Sequence, residues 1–339
     1  MKTDTVSIGV VGAGSWGTTL AQLLAGKGYD VTLWVYEREL LDVLVATRCN
    51  TWFLPGVQLH NSIRFTNNLE DAVGKKQLLL WVTPVKAFRT VFSQSLPFFD
   101  DAIIHISASK GIETTSLQTV AQIARSLLPN GSKSSLCVLS GPSFAREVAR
   151  NMPTAVVIAS ADHHAAEHAQ YIFATPYFRT YTSDDVIGVE LGGALKNVVA
   201  LAAGIVEGLG LGNNTRAALI TRGLAEMIRL GTAMGAQPLT FAGLSGIGDL
   251  VLTCTSTLSR NYSVGKELGS GKPLGDILAS MQMVAEGVTT AQSANALADR
   301  YGIEMPIVRE VYQVLFNGKE PLRALQDLMN RELKREVML

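Results

Sequence analysis

The chain has 339 residues, 47% of them hydrophobic, more than a single domain usually holds and enough for a sizeable core. Lys+Arg and Asp+Glu each number 29, and this formal neutrality excludes the basic surplus of a general nucleic-acid binder while leaving room for a local cationic site. Three widely separated cysteines, Cys49, Cys137 and Cys254, exclude a disulfide framework and a paired-cysteine metal site, and read as small apolar fillers in a reducing cytoplasm.

The segment before the first apolar run is too polar and too short for a signal peptide. That run, Val6 to Val11, leads directly into Gly12-Ala13-Gly14-Ser15-Trp16-Gly17, and a helix is expected over Thr18 to Lys27. Strand, glycine turn and helix form the pattern that binds a dinucleotide pyrophosphate. Gly12 permits the tight turn, Gly14 lets backbone approach the phosphates, and Gly17 lets the helix pack close. The helix start supplies N–H donors and a positive dipole end to the anion. A second strand, Val31 to Tyr36, completes the βαβ unit.

Further apolar runs follow at Gln77 to Val82, Ala102 to Ile106, Leu136 to Leu139, Ala155 to Ala159 and Phe178 to Tyr181. Near-continuous apolar strands alternating with helical patterns predict a parallel, doubly wound sheet covered on both faces. The small polar residues behind several of them (Thr83-Pro84, Ser107 to Lys110, Ser140 to Ser143) then fall at the carboxyl ends, where ligands bind in open α/β sheets. From about Val186 the texture becomes helical, rich in Ala, Leu and Gly. The fold class predicted is α/β: an N-terminal Rossmann-type domain, 1–187, followed by an all-helical C-terminal domain, 188–339, ending in the charged tail Arg331 to Leu339. Val186 to Leu211 carries Glu190, Lys196, Asn197 and Glu207, which makes it a poor membrane span and a better buried helix; a soluble protein is expected.

Lys196 is the sharpest candidate for chemistry, one cation in the apolar run Leu191 to Ala200. Desolvation lowers a lysine's pKa toward the range where it gives or takes a proton; the alternative is a lysine snorkelling to the surface. Asn197 either orients the lysine or a hydroxyl, or bonds between helices. Lys110 follows the Ala102 to Ile106 run and precedes Gly111, which places it at a ligand crevice or in a solvated loop. Gly141 and Ser143, in Gly141-Pro142-Ser143-Phe144-Ala145, offer N–H and hydroxyl contacts or form a plain turn. Asp249, if near Lys196, would fix its orientation and protonation. Ser259-Arg260-Asn261, taken alone, reads as a helix cap with an exposed arginine, although a guanidinium beside helix N–H groups also suits phosphate. The five histidines show no metal-protease spacing, neither a Walker A sequence nor a GxSxG elbow is present, and metal binding is not expected.

Taken in order, the glycine turn Gly12 to Thr18, Ser140 to Glu147, Gly188 to Asn197, Thr221 to Glu226, Gly246 to Cys254 and Ser259 to Asn261 make the chain resemble NAD(P)-dependent glycerol-3-phosphate dehydrogenase of the bacterial type over essentially its whole length. The resemblance implies interconversion of sn-glycerol 3-phosphate and dihydroxyacetone phosphate, supplying phospholipid synthesis in the cytoplasm from a homodimer without nucleic-acid or membrane partners. It implies that Lys196 accepts the C2 hydroxyl proton, that Lys110 contacts substrate and coenzyme, and that Asp249 joins them. Gly141, Ser143, Asn197, Asp249, Ser259, Arg260 and Asn261 match substrate binders, Arg260 and Asn261 on the phosphate. Gly12, Gly14, Ser15, Trp16, Gly17, Tyr36, Lys110, Ala145, Arg260, Val284 and Glu286 match coenzyme contacts. Glu37, about twenty residues after the glycine turn, favours the ribose hydroxyl of NAD, whereas Arg38 suits the extra phosphate of NADP; the expectation is dual use or NADP. Two competing readings are a β-hydroxyacid or 6-phosphogluconate type dehydrogenase acting on a carboxylate substrate, and a dinucleotide sensor without turnover. Retention of Lys196, Lys110 and Arg260 together argues against the sensor, which needs no proton donor.

Overall fold

The computed structural model describes residues 6–281, 284–333 and 335–336, so residues 334 and 337–339 of the predicted charged tail lie outside the described residues. The chain forms two compact units. Residues up to Ser109 join Val120–Val186, and Lys110–Thr119 joins Ile187–Leu339. Lys110 is therefore carried by the second unit, although it follows a strand of the first.

The first unit is built on one eight-stranded sheet. Its strands are β1 (Ser7–Val11), β2 (Asp30–Trp34), β3 (Arg64–Thr66), β4 (Leu78–Trp81), β5 (Ile104–Ser107), β6 (Ser135–Ser140), β7 (Thr154–Ser160) and β8 (Phe178–Ser183). The order is β3-β2-β1-β4-β5-β6-β7-β8, and β1 to β6 have the arrangement of a doubly wound nucleotide-binding sheet. Side chains alternate between two apolar cores. Val10, Leu78 and Leu80 enter one cluster, and Val11, Leu79 and Trp81 enter the other, as the two-residue strand period requires of a sheet covered on both faces.

Two features depart from the sequence reading. The short edge strand β3, exposed at Arg64, carries too few apolar residues to announce itself. β7 runs antiparallel to β6, with Ser140 opposite Val157, rather than continuing an all-parallel sheet. The link between them holds only the four-residue helix Ala145–Val148. That helix is too short to carry the chain back along the sheet, so the strand re-enters from the end it left.

The second unit packs helices around Val186–Gly208, whose residues from Gly188 to Val206 are all buried. This helix is long and apolar enough to cross a membrane by composition, but 89% of its most apolar window is buried inside the protein. Close packing explains its glycines. A Cβ on Gly204 would lie 2.1 Å from the Tyr262 carbonyl oxygen, and one on Gly208 2.2 Å from that of Lys266. The helix Arg260–Gly269 answers with Gly265 and Gly269, each under 2.5 Å from a backbone oxygen of the long helix by the same measure. The segment Thr221 to Glu226 has a similar explanation. Gly223 admits the Val199 side chain, and the buried Glu226 carboxylate accepts the Ile307 and Val308 N–H groups at 2.7 and 3.1 Å. Glu226 thus caps the helix Pro306–Phe316 from a distant part of the chain. Burial pushes its carboxyl up to about 7, against the pull of those two N–H donors.

Candidate active site

The lysine-bearing face of the long helix is brought to its partner by a second glycine. A Cβ on Gly192 would stand 2.4 Å from the Ser245 carbonyl oxygen, so only glycine lets this helix approach the irregular turn Leu244–Gly248. That turn is a single π-type loop with a non-helical Gly246, a distortion that recurs at functional positions. One turn along each element, Lys196 and Asp249 then meet. Asp249 starts the helix Asp249–Thr255, where a carboxylate is favoured by the N–H groups of the first turn.

The Asp249 carboxylate is almost fully buried and binds two cations, Lys196 Nζ to Oδ1 and Lys110 Nζ to Oδ2, each at 2.7 Å. Lys196 Nζ also donates to Thr253 Oγ1 at 2.7 Å, and the Thr253 hydroxyl donates to the Asp249 backbone oxygen at 2.6 Å. Burial pulls the Lys196 ammonium down to about 8; the carboxylate opposes this, and the second cation adds to it. Burial alone would raise the Asp249 carboxyl, but the two ammonium groups overcome it and hold the acid below its usual range. Lys196 does not snorkel. Beside the pair lies Cys254, whose thiol burial pushes up to about 12; it stays protonated and is no nucleophile.

Lys110 reaches Asp249 because its segment is held within the second unit. Ile112 enters the helical core, and the buried Ser293 hydroxyl donates to the Ile112 carbonyl at 3.0 Å. In the same unit Ser259 caps the helix Arg260–Gly269, accepting from Tyr262 N at 3.2 Å. Arg260 stands at the helix start, where desolvation by its surroundings lowers the guanidinium pKa and the nearby Glu286 carboxylate opposes that shift. Asn261 Oδ1 accepts from Gly287 N at 2.9 Å, which leaves its NH₂ as the group able to donate to an anion. Asn197 is buried and makes a long 3.4 Å bond to the Gly193 carbonyl. All of these residues belong to the second unit, and Gly287 packs between the Asn197 carbonyl and the Asn261 amide.

In the first unit the three glycines behave differently. Gly12 has φ +118°, and its Cβ would meet the Val82 oxygen at 2.6 Å. A Cβ on Gly17 would meet the Gly12 oxygen at 1.9 Å, whereas one on Gly14 would meet nothing within 4 Å. Gly14 caps the helix Ser15–Gly26, so the turn has room beside it at a helix start. A pyrophosphate fits that cradle.

The profile for the N-terminus of NAD-dependent glycerol-3-phosphate dehydrogenase matches residues 7–166, and that for its C-terminus matches residues 185–326. Over 329 residues the chain is 59% identical to the glycerol-3-phosphate dehydrogenase [NAD(P)+] of Geobacter metallireducens and 58% identical to that of Geobacter sulfurreducens, covering 97% of this chain and 98% of each relative. The chain belongs to the NAD-dependent glycerol-3-phosphate dehydrogenase family. A glycerol-3-phosphate dehydrogenase from Coxiella burnetii superposes with a TM-score of 0.93 at 38% identity, covering 96% of this chain and 99% of that one.

The remaining residues expected from that family's pattern are scattered in their exposure. Gly141 has φ +142°, and its Cβ would lie 2.9 Å from Val156 Cα, so the turn requires glycine. Ser143 Oγ donates back to the Gly141 carbonyl at 3.0 Å, and Ala145 opens the short helix, its carbonyl accepting from Thr19 Oγ1 at 3.2 Å. Ser15 Oγ donates to the Phe53 carbonyl. Trp16 packs toward the sheet core near Phe178, its buried indole N–H without a hydrogen-bond partner among the described residues. Tyr36 is 76% exposed, its ring beside Trp34. Val284 is exposed and Glu286 opens the helix Glu286–Tyr301; Met283, beside Val284 in the expected coenzyme segment, lies outside the described residues. The sequence reading missed Thr253. Its signal was present, a hydroxyl four residues beyond Asp249 and so on the same helix face.

Proposed function

We propose that this chain interconverts sn-glycerol 3-phosphate and dihydroxyacetone phosphate, using NAD(P) bound at the Gly12 to Gly17 turn and Lys196 as the proton carrier. The observation that carries the reading is the buried Asp249 carboxylate shared by Lys110 and Lys196 at 2.7 Å each. In its neutral form the Lys196 amine has two hydrogens, which Asp249 Oδ1 and Thr253 Oγ1 accept. Its lone pair then points along the remaining tetrahedral direction, ready for the C2 hydroxyl proton. A nicotinamide coenzyme held at the Gly12 to Gly17 turn would supply the hydride chemistry, as acceptor from C2 in oxidation and donor in reduction. On reduction the Lys196 ammonium gives its third proton to the carbonyl oxygen, while Lys110 offsets the negative charge that develops there. Asp249 keeps both ammonium groups in place between turnovers.

Arg260 and the Asn261 amide are proposed to grip the phosphate, so that binding energy remote from C2 aligns the reacting carbon. Ser259, Asn197, Gly141 and Ser143 are proposed to line the substrate, and Ser15, Trp16, Gly14, Tyr36, Ala145, Val284 and Glu286 the coenzyme. Glu37 and Arg38 together support use of either coenzyme. Family membership supports a cytoplasmic homodimer that supplies phospholipid synthesis.

The test is NAD(P)H oxidation with dihydroxyacetone phosphate against a 3-oxo acid. Activity is expected on the phosphorylated ketone, and activity on the acid alone would sink the reading. In Arg260→Ala the KM for dihydroxyacetone phosphate is expected to rise about 10- to 100-fold, the value of one charge-assisted contact. An unchanged KM removes Arg260 from the phosphate site.

A further inference from the structure

Asn50 lies outside every motif that identifies this chain, yet it is fully buried against the glycine turn. Its Nδ2 donates to the Ala13 carbonyl and to Thr18 Oγ1, both at 2.8 Å, and its Oδ1 accepts from Phe53 N at 3.0 Å. The amide orientation is fixed by these partners, because a carbonyl oxygen can only accept and a backbone N–H can only donate. Thr18 Oγ1 in turn donates to the same Ala13 carbonyl at 3.1 Å. The Ala13 oxygen is therefore held on its inner side by two donors. From the same crossing segment the Phe53 carbonyl takes the Ser15 hydroxyl.

A trans peptide plane points its C=O and its N–H in opposite directions. Pinning the Ala13 oxygen inward onto Asn50 therefore turns the Gly14 N–H outward. Gly14, the cap of the helix Ser15–Gly26, leaves room for a ligand beside the turn, since a Cβ on it would meet nothing within 4 Å. We propose that Asn50 is a positioning residue for coenzyme binding: it locks the Ala13–Gly14 peptide so that the turn presents its N–H groups to the pyrophosphate before the coenzyme arrives. Preorganisation of this kind is reflected in affinity, because an unlocked turn must be ordered at the moment of binding. The inference rests on the coenzyme site proposed above at the same turn.

The test is calorimetric titration of NADH and NADPH into the parent protein, Asn50→Asp and Asn50→Ala, beside steady-state kinetics and melting curves. Asp keeps the shape and the Phe53 contact but sets an oxygen against the Ala13 carbonyl. Both variants are expected to raise the coenzyme Kd about tenfold or more, while the KM for dihydroxyacetone phosphate stays within about twofold. A role confined to folding would lower the melting temperature and leave the Kd of the folded protein unchanged, and that result overturns the proposal. Failure of the parent itself to bind either dinucleotide would instead refute the coenzyme site. Should both Asn50 variants be insoluble, Thr18→Val decides. It removes the second donor on the same carbonyl and is expected to raise Kd about threefold; an unchanged Kd overturns the proposal.

Discussion

Lys196→Ala is expected to lower turnover by about 10²- to 10⁴-fold in both directions, the range that a positioned acid–base group contributes. The ammonium sits among buried apolar residues, so water does not replace it readily, and Lys110 is committed to the other carboxylate oxygen. Folding is expected to survive, because Asp249 keeps Lys110 as a partner. Coenzyme Kd should stay within about twofold, since the loss falls on the chemical step alone. Small primary amines that fit the vacated side-chain volume should restore part of the rate. Near-parent turnover in this variant removes Lys196 from proton transfer.

Asp249→Asn is expected to be as damaging, for a different reason. The substitution keeps the shape and removes the one charge that two ammonium groups share in a buried site. Breaking a buried ion pair from one side costs about 3–5 kcal/mol, and the partial exposure of Lys110 puts this variant near the lower end. Lys196 also loses the main influence that raises its pKa, so it should be largely neutral at pH 7 and unable to supply a proton to the ketone. The reduction rate is expected to drop by about 10²-fold or more at pH 7. Chemical denaturation should show the stability loss diminishing above pH 8, as Lys196 becomes neutral in parent and variant alike. Parent-like stability together with parent-like reduction would show that the carboxylate neither pairs nor tunes the lysines.

Much of this arrangement is legible in the chain because the local rules are strict. The turn at Gly12 can be read because its φ and the contact at Val82 admit no side chain, and Lys196 stands out because a cation in an apolar run needs a reason. The pairing with Asp249 was only conditional in the sequence, since spacing along the chain says nothing of a partner 53 residues away. The direction of β7 was illegible for the same reason: an apolar strand looks alike from either end. Lys110 could be placed after a strand, but its membership in the second unit depends on Ile112 and Ser293, neither of which signals a lysine's position. Asn50 and Thr253 are ordinary polar residues by composition, and only their partners give them a role.

The most direct test of the central claim is the pH dependence of kcat/KM measured in both directions between about pH 7 and 9.5, where the substrate phosphate is fully ionised. Oxidation needs the neutral amine, so its rate should rise about tenfold per unit below the Lys196 value near 8 and level off above it. Reduction needs the ammonium, so its rate should be flat below that value and fall above it. Profiles without an inflection, or the same inflection persisting in the residual activity of Lys196→Ala, would contradict the account.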